Sequence, residues 1–369
     1  MAWELFMPTR VLFGQGTAAR LPELLEEYGI RKPALVCGKS ALGTKTARQF
    51  TRVFSGIRAN PTAQNVRDFA AFLLEAEADG VVALGGGSVL DCAKAAAGEV
   101  RKKRLNNSQG AGNVPLGESI FAGAKLPLFA LPTTAGTGSE VTSIAVISDG
   151  NTKQPHAAPE FYPAVALVDP AFTVSCPPNV TAESGIDALS HALEALWSIN
   201  HRPPCDELAL HATRLILHNL EAAYNEPENL SARGAMSEGS LLAGLAFSQT
   251  KTAGVHACSF PLTVRYGLSH GAACGFTLAA FTRVNATAEN HRLDTLSQSL
   301  GFAGAFALAD EIDRLKSALA LPLTLAQAGI PDDELPQLAR ESLHPNIKNN
   351  PVPMDEGAVL ALLESLRQR

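Results

Sequence analysis

Asp187 and His191 lie four residues apart in the run Gly-Ile-Asp-Ala-Leu-Ser-His, residues 185 to 191. On a helix that spacing puts a carboxylate and an imidazole on one face, one turn apart. His256 and His270, further along the chain, could close a four-donor site with them. One carboxylate and three imidazoles suit Fe2+ or Zn2+ better than Mg2+ or Ca2+, which prefer all-oxygen shells. An isolated Asp-x3-His is more often a surface pair, and a lone His is more often a satisfied core residue than a ligand. The surroundings shift that balance. Ile186, Leu189, Leu193, Leu196 and Trp197 recur at helical spacing and make an apolar face, beside a polar stripe of Asp187, His191 and Glu194. A carboxylate and an imidazole on a buried helix need partners, and a metal would satisfy both.

Two glycine-rich stretches upstream offer a different chemistry. Gly85-Gly86-Gly87-Ser88 joins the apolar run Val81 to Leu84 to a helical pattern from Val89. A strand-to-helix turn leaves backbone N–H groups free at a helix N-terminus, which favours an anion, and glycine lets a phosphate come close. Thr133-Thr134-Ala-Gly136-Thr137-Gly138-Ser139 adds hydroxyls and amides after a second run, Leu128 to Leu131. Either stretch alone reads as a tight structural turn. Together they suggest a diphosphate across adjacent strand ends. Neither Gly-x-Gly-x-x-Gly nor the Gly-x4-Gly-Lys-Ser/Thr loop occurs, so an ordinary Rossmann signature and a P-loop are both excluded.

The elements that must position these residues fall into two textures. Up to about residue 177, short apolar runs alternate with helical patterns: strands at 10–14, 34–37, 81–84, 128–131, 141–148 and 164–168, helices at about 16–28, 43–54, 66–78 and 89–100. That alternation predicts a mostly parallel sheet with helices on both faces. Asn60-Pro61-Thr62 is a turn, and the Asn- and Gly-rich residues 105–117 read as a surface loop. After Pro177-Pro178 the chain is rich in Ala, Leu, Glu and His at helical periods, enough for at least six helices. The reading is an α/β domain over 1–177 followed by an all-α domain over 178–369, a size that suits two domains.

Composition excludes several classes. A formal net charge of −6 with no basic face argues against nucleic acid. The run Arg101 to Arg104 reads as a solvated helix end. Six cysteines, at 37, 92, 176, 205, 258 and 274, form no Cys-x-x-Cys and read as small hydrophobes in a reducing compartment. The N-terminus lacks a signal-peptide pattern and no segment reaches membrane-spanning length, so a cytoplasmic location is expected. A dimer or higher homo-oligomer is the expected assembly.

One rival reading is enzymatic too. Gly267-Leu-Ser269-His-Gly271 satisfies the nucleophile-elbow pattern, with Thr263 to Tyr266 as the strand before it and Asp294 or Asp310, then His344, in hydrolase order. A serine hydrolase of that design leaves both glycine stretches and Asp187/His191 unexplained.

Nearly end to end, the chain resembles the iron-containing, group III alcohol dehydrogenases. The resemblance rests on Phe13-Gly14-Gln15-Gly16, Asn60-Pro61-Thr62, Gly85-Gly-Gly-Ser-x-x-Asp91-x-x-Lys94, Pro132-Thr-Thr-Ala-Gly-Thr-Gly-Ser-Glu140, Asp169-Pro170, Gly185-x-Asp187-Ala-x-x-His191-Ala-x-Glu194, and the block around His270. It implies a dinucleotide-binding α/β domain followed by an all-helical domain, a fold shared with dehydroquinate synthases and glycerol dehydrogenases. It implies Asp187, His191, His256 and His270 as ligands of Fe2+ or Zn2+, with the metal polarising a carbonyl for hydride transfer from NAD(P)H. The implied cofactor contacts are Gly38, Lys39, Ser40, Asn60, Gly85, Gly86, Gly87, Ser88, Asp91, Thr133, Thr134, Thr137, Ser139 and Lys153. Many members carry a further His four residues after the third ligand; here Phe260 stands there, so no general acid is assigned. Gly38 stands where NAD-preferring relatives carry Asp, and Lys39 follows it, which points to NADP(H) over NAD(H). Ser259 to Thr263 with Arg265 resembles reductases of small anionic aldehydes such as phosphonoacetaldehyde, and makes Arg265 a candidate for reading the anion.

Overall fold

The computed structural model describes residues 2–107, 126–149 and 152–367. The chain divides into two compact units. One comprises Met7–Thr134 and Ser139–Thr173; the other comprises Met1–Phe6, Ala135–Gly138 and Val174–Arg369.

The first unit is built on a parallel sheet of six strands. These are β1 (Arg10–Phe13), β2 (Pro33–Cys37), β3 (Val53–Ser55), β4 (Gly80–Gly85), β5 (Leu128–Pro132) and β8 (Val165–Val168), in the order β1-β8-β5-β4-β2-β3. The inner strands are apolar without interruption because both of their faces are covered. Ala34, Val36, Val81, Ala83, Leu128 and Ala130 face one core, with α2 (Ala63–Glu75) and α3 (Gly87–Asn107). Leu35, Cys37, Val82, Leu84, Phe129 and Leu131 face the other, with α1 (Leu21–Glu27). The chain leaves β2 toward the α1 face and leaves β4 toward the α3 face. The adjacent C-terminal ends of β2 and β4 therefore flank a topological switch point, where open sheets take ligands.

Three expected elements differ. The helix expected over 43–54 is instead a short 3-10 turn, Ala47–Gln49, followed by β3, which pairs with β2 through Val53, Phe54 and Ser55. A three-residue edge strand leaves too little periodicity to separate it from a helix. The strand expected at 141–148 does not join the sheet. As β6 (Ile144–Asp149) it pairs with β7 (Thr152–Ala157), an antiparallel hairpin whose second strand has no apolar run to announce it, and meets Thr62 through an isolated bridge at Ser148. Of the expected loop, residues 108–117 lie outside the described residues, and 105–107 end α3. The run Arg101 to Arg104 is solvated only in part: Lys102 and Lys103 are exposed, while Arg101 and Arg104 are bonded inward. Arg101 donates to the carbonyls of Leu126 and Glu160, and Arg104 to that of Ala78 at 2.7 Å.

The second unit is helical: α4 (Pro178–Trp197), α5 (Pro203–Asn225), α6 (Leu230–Thr250), α7 (Gly254–Tyr266), α8 (His270–Asn285), α9 (Arg292–Ser299), α10 (Ala305–Ala318), α11 (Leu335–Glu341) and α12 (Glu356–Glu364). Its axis is α4, in which every residue from Gly185 to Trp197 is buried. Pro178 starts this helix at a position where a missing N–H costs nothing. Helices α5, α6 and α8 pack around it.

The α4–α8 contact is unusually close, and glycine is the cause. A Cβ on Gly271 would lie 1.9 Å from the Glu183 carbonyl oxygen, and one on Gly275 2.8 Å from Ile186 Cγ1. The first obstacle is backbone and cannot swing aside. Gly271→Ala should therefore cost about 1–3 kcal/mol or more, and Gly275→Ala less, because Ile186 can change rotamer. Denaturant unfolding of the two variants checks this; equal stability losses would contradict the backbone clash.

Candidate metal centre and cofactor loops

Three helices deliver the acidic and imidazole groups to one place. Helix α4 supplies Asp187 and His191, α7 supplies His256, and α8 supplies His270. Asp187 Oδ1 lies 3.6 Å from His256 Nε2 and 3.8 Å from His270 Nε2. Both Asp187 and His256 are almost fully buried, at 2% and 4% exposure. Among the described residues, Asp187 Oδ1 and His256 Nε2 have no hydrogen-bond partner, although burial without one is costly.

The imidazoles are held by their other nitrogens. Glu194, one further turn along α4, places Oε2 2.5 Å from His256 Nδ1, while Oε1 accepts from the N–H groups of Val255 and His256 at 2.7 and 3.2 Å. One carboxylate thus caps α7 and fixes the His256 ring with Nε2 turned toward Asp187. His191 Nδ1 lies 3.3 Å from the Gly136 carbonyl oxygen, and its ring stacks on Phe247 at 4.1 Å. The His191 ring also lies 4.4 Å from that of His256. Burial works against charge on Asp187, but His191, His270 and His256 outweigh it and hold the carboxyl well below the usual range. Burial takes His191 down to about 4, so it is a neutral imidazole at neutral pH. An ionised carboxylate set beside imidazole nitrogens is a donor set that suits a divalent cation.

Sequence reasoning missed one member of this group. Cys274, one turn after His270, brings Sγ to 4.0 Å from His270 Nε2. The ligand atoms of Asp187, His256, His270 and Cys274 all lie within 4.8 Å of one another. The signal was present: His270 and Cys274 repeat the i,i+4 spacing of Asp187 and His191.

Other candidates take different roles. Thr263 to Tyr266 is helical, and Ser269 Oγ caps α8 by accepting from the Ala272 N–H at 3.3 Å. A nucleophile elbow needs a strand before its serine, so the hydrolase reading has no scaffold here. Arg265 is bound by Glu334 and by Glu341, the latter at 3.1 Å, which occupies the guanidinium expected to read an anion. Phe260 packs against His344, ring centroids 4.8 Å apart.

In the sheet unit, the candidate cofactor residues gather at the C-terminal ends of β2, β4 and β5. Gly38 N donates to the Leu84 carbonyl at 3.4 Å, and Thr133 N to that of Gly85 at 3.1 Å, so the ends of all three strands stay in register. Gly86 and Thr134 are neighbours: a Cβ on Gly86 would meet the Thr134 side chain at 3.4 Å. Asn60, in the left-handed region at φ 58°, donates its N–H to Ser88 Oγ at 3.2 Å. Gly87 and Ser88 open α3, Lys39 and Ser40 lie in a 3-10 turn after Gly38, and Lys153 lies on β7.

Asp91 and Ser139 face inward. Asp91 accepts from Ser139 Oγ at 2.7 Å and from Val146 N at 2.9 Å, tying α3 to β6. Beside them Lys94 donates to Thr142 Oγ1 and the Ile144 carbonyl, and burial brings its ammonium down to about 8 while taking Glu140 up to about 7. Thr137 belongs to the stretch 135–138 of the helical unit. The glycines there serve packing: a Cβ on Gly136 would strike Ser184 at 2.7 Å, and one on Gly138 the Gly244 Cα at 2.5 Å.

Comparison with known proteins bears on the whole chain. Residues 8–170 match the family model described as iron-containing alcohol dehydrogenase, and residues 181–367 match that for the C-terminal part of the Fe-containing alcohol dehydrogenase family. A long-chain-alcohol dehydrogenase of Geobacillus thermodenitrificans is 34% identical over 85% of this chain and 81% of its own length. The 1-propanol dehydrogenase of Salmonella typhimurium is 32% identical over 98% of each chain. Among solved structures, a sulfoacetaldehyde reductase from Bifidobacterium kashiwanohense in complex with NAD+ is 36% identical, with a TM-score of 0.90 over 99% of both chains.

Proposed function

The chain belongs to the iron-containing alcohol dehydrogenase family, and from that premise we propose that it reduces a small aldehyde at a metal centre held by Asp187, His191, His256 and His270. The observation that carries this reading is the pair of buried, unpartnered atoms Asp187 Oδ1 and His256 Nε2, 3.6 Å apart. The bound cation would supply Lewis-acid polarisation of the carbonyl, and a nicotinamide cofactor would supply the hydride. The chain's own contribution is orientation. Glu194 holds His256, and the Gly136 carbonyl holds His191, so that each presents Nε2. Phe260 puts a ring where many relatives have an imidazole and gives the wall one turn beyond His256 an apolar surface.

His256→Ala should abolish turnover and empty the site, whereas Glu194→Gln should lower metal affinity by roughly 10–100-fold while keeping the ligands. Metal content after dialysis, read beside activity, checks both. Full activity in metal-free protein would end the assignment.

The cofactor reading favours NADP(H). Gly38 has ordinary extended dihedrals, φ −70° and ψ 158°, and a Cβ there would meet only Ser40 Oγ, at 3.9 Å. Neither backbone conformation nor crowding demands glycine. Its effect is to leave out the carboxylate that would bond the ribose hydroxyls and repel a 2′-phosphate. The sulfoacetaldehyde reductase above carries NAD+, so the comparison of kcat/KM for NADPH and NADH is decisive. NADPH should be preferred, and Gly38→Asp should cut its kcat/KM about tenfold or more, roughly 1.4 kcal/mol. A wild-type preference for NADH would show that this turn does not set the choice.

The substrate reading is a small aldehyde bearing an anionic group, supported by the likeness to sulfoacetaldehyde reductase. An anionic aldehyde should outperform a neutral one of equal length by about tenfold, the scale of one charge-assisted hydrogen bond. Arg265→Ala should leave that ratio within roughly twofold, because Glu334 and Glu341 already occupy the guanidinium. Equal kcat/KM for the two aldehydes would retire the anionic substrate; a collapse of the ratio in the variant would return the role to Arg265.

A further inference from the structure

We propose that Cys274 Sγ is an additional donor of the metal centre, making it a mixed N, O, S site that favours softer cations such as Zn2+ over harder ones such as Mn2+. This rests on the metal reading of Asp187, His256 and His270.

Three observations carry it. The first is distance. Donors about 2.0–2.3 Å from one tetrahedral cation lie roughly 3.3–3.6 Å from each other. Asp187 Oδ1 is 3.6 Å from His256 Nε2 and 3.8 Å from His270 Nε2, and Cys274 Sγ is 4.0 Å from His270 Nε2. The separation of the sulfur from His270 Nε2 is therefore only a few tenths of an ångström longer than the separations of the other donors from Asp187 Oδ1. All four ligand atoms fall within 4.8 Å of one another.

The second is the state of the neighbouring atoms. Asp187 Oδ1 and His256 Nε2 are buried, lack hydrogen-bond partners and belong to the same group as Sγ. They mark a polar interior point toward which the sulfur is also directed, rather than an apolar niche for a small hydrophobe.

The third is helix geometry. Each α8 donor is followed at once by a close-contact glycine: His270 by Gly271 against Glu183, and Cys274 by Gly275 against Ile186. The four-residue repeat that brings His270 to α4 brings Cys274 there one turn later. Thiolate sulfur selects zinc-like ions over manganese-like ones, whereas carboxylate and imidazole alone discriminate less. Coordination through Sγ forms a metal–sulfur bond and releases the thiol proton to solvent.

The test is the absorption spectrum of the full-length protein carrying one equivalent of Co2+. Wild type should show visible d–d bands together with a near-ultraviolet sulfur-to-cobalt charge-transfer band. Cys274→Ser and Cys274→Ala should keep the d–d bands and lose the charge-transfer band. Their Zn2+ affinity should fall by roughly tenfold or more, with Mn2+ affinity nearly unchanged. The wild-type spectrum decides even if a variant folds poorly. Bands in the visible without charge transfer would overturn the sulfur donor and leave the metal centre standing. Charge transfer that persists in both variants would place the sulfur on another cysteine and likewise overturn it. No Co2+ bands at all in wild type would bring down the metal reading and this proposal with it.

Discussion

A carboxylate buried among three imidazoles sets the terms for the helical unit. Asp187 is ionised, almost sealed from water, and carries an oxygen that no protein donor reaches. Such a group is tolerable only if positive charge is supplied at that point. His191 is too strongly desolvated to supply it at neutral pH, being neutral above about 4. On the proposed reading a bound cation would supply it. The surrounding structure follows from holding several donors at that spacing. Glycines let α8 settle on α4, Glu194 clamps the start of α7 and one ring of the site together, and α4 is wrapped on every side so that its donors cannot drift.

The sheet unit solves a different problem, that of exposing backbone at strand ends while burying everything else. Its charged residues near the candidate cofactor loops divide into two kinds. Lys94 and Glu140 are buried and Asp91 is half-buried; Asp91 and Lys94 are bonded to Ser139, Thr142 and the β6 backbone, so they brace α3 against the hairpin. Gly38, Gly86 and Ser88 instead stand just past the ends of strands or at the start of α3, and Asn60 lies in the loop before α2 with its N–H on Ser88. A motif read as one block of cofactor contacts therefore separates into surface and support once burial is known.

Much of this was legible in the sequence for physical reasons that also explain the gaps. Strands buried on both faces and a helix with donors at i,i+4 leave unambiguous patterns, so the inner strands and α4 stand where the periodicity puts them. The edge strand β3, the hairpin β6–β7 and the helical Thr263–Tyr266 segment do not, because short or one-sided elements take their form from neighbours. The partners of Arg265 could not be read either. Glu334 and Glu341 come from a later part of the chain, and no local spacing links them to α7. Cys274 was hidden for a different reason: cysteine in an apolar stretch has a ready explanation as a small hydrophobe, and that explanation is correct for most such residues.

What distinguishes Cys274 from those residues is the phase of its helix. Helix α8 is buried over most of its length, so burial alone says nothing about which side chains meet the polar centre. The glycines do. The face of α8 carrying Gly271 and Gly275 lies against the Glu183 backbone and Ile186 of α4. Cys274, just before Gly275, has its sulfur within 4.8 Å of the Asp187 carboxylate, whereas Phe276, just after that glycine, and Phe281 fill the core. Position 274 thus stands beside an interior polar point that a purely hydrophobic residue would leave less satisfied. Cysteine suits that place, being compact and apolar enough for a buried helix and able to offer an electron pair.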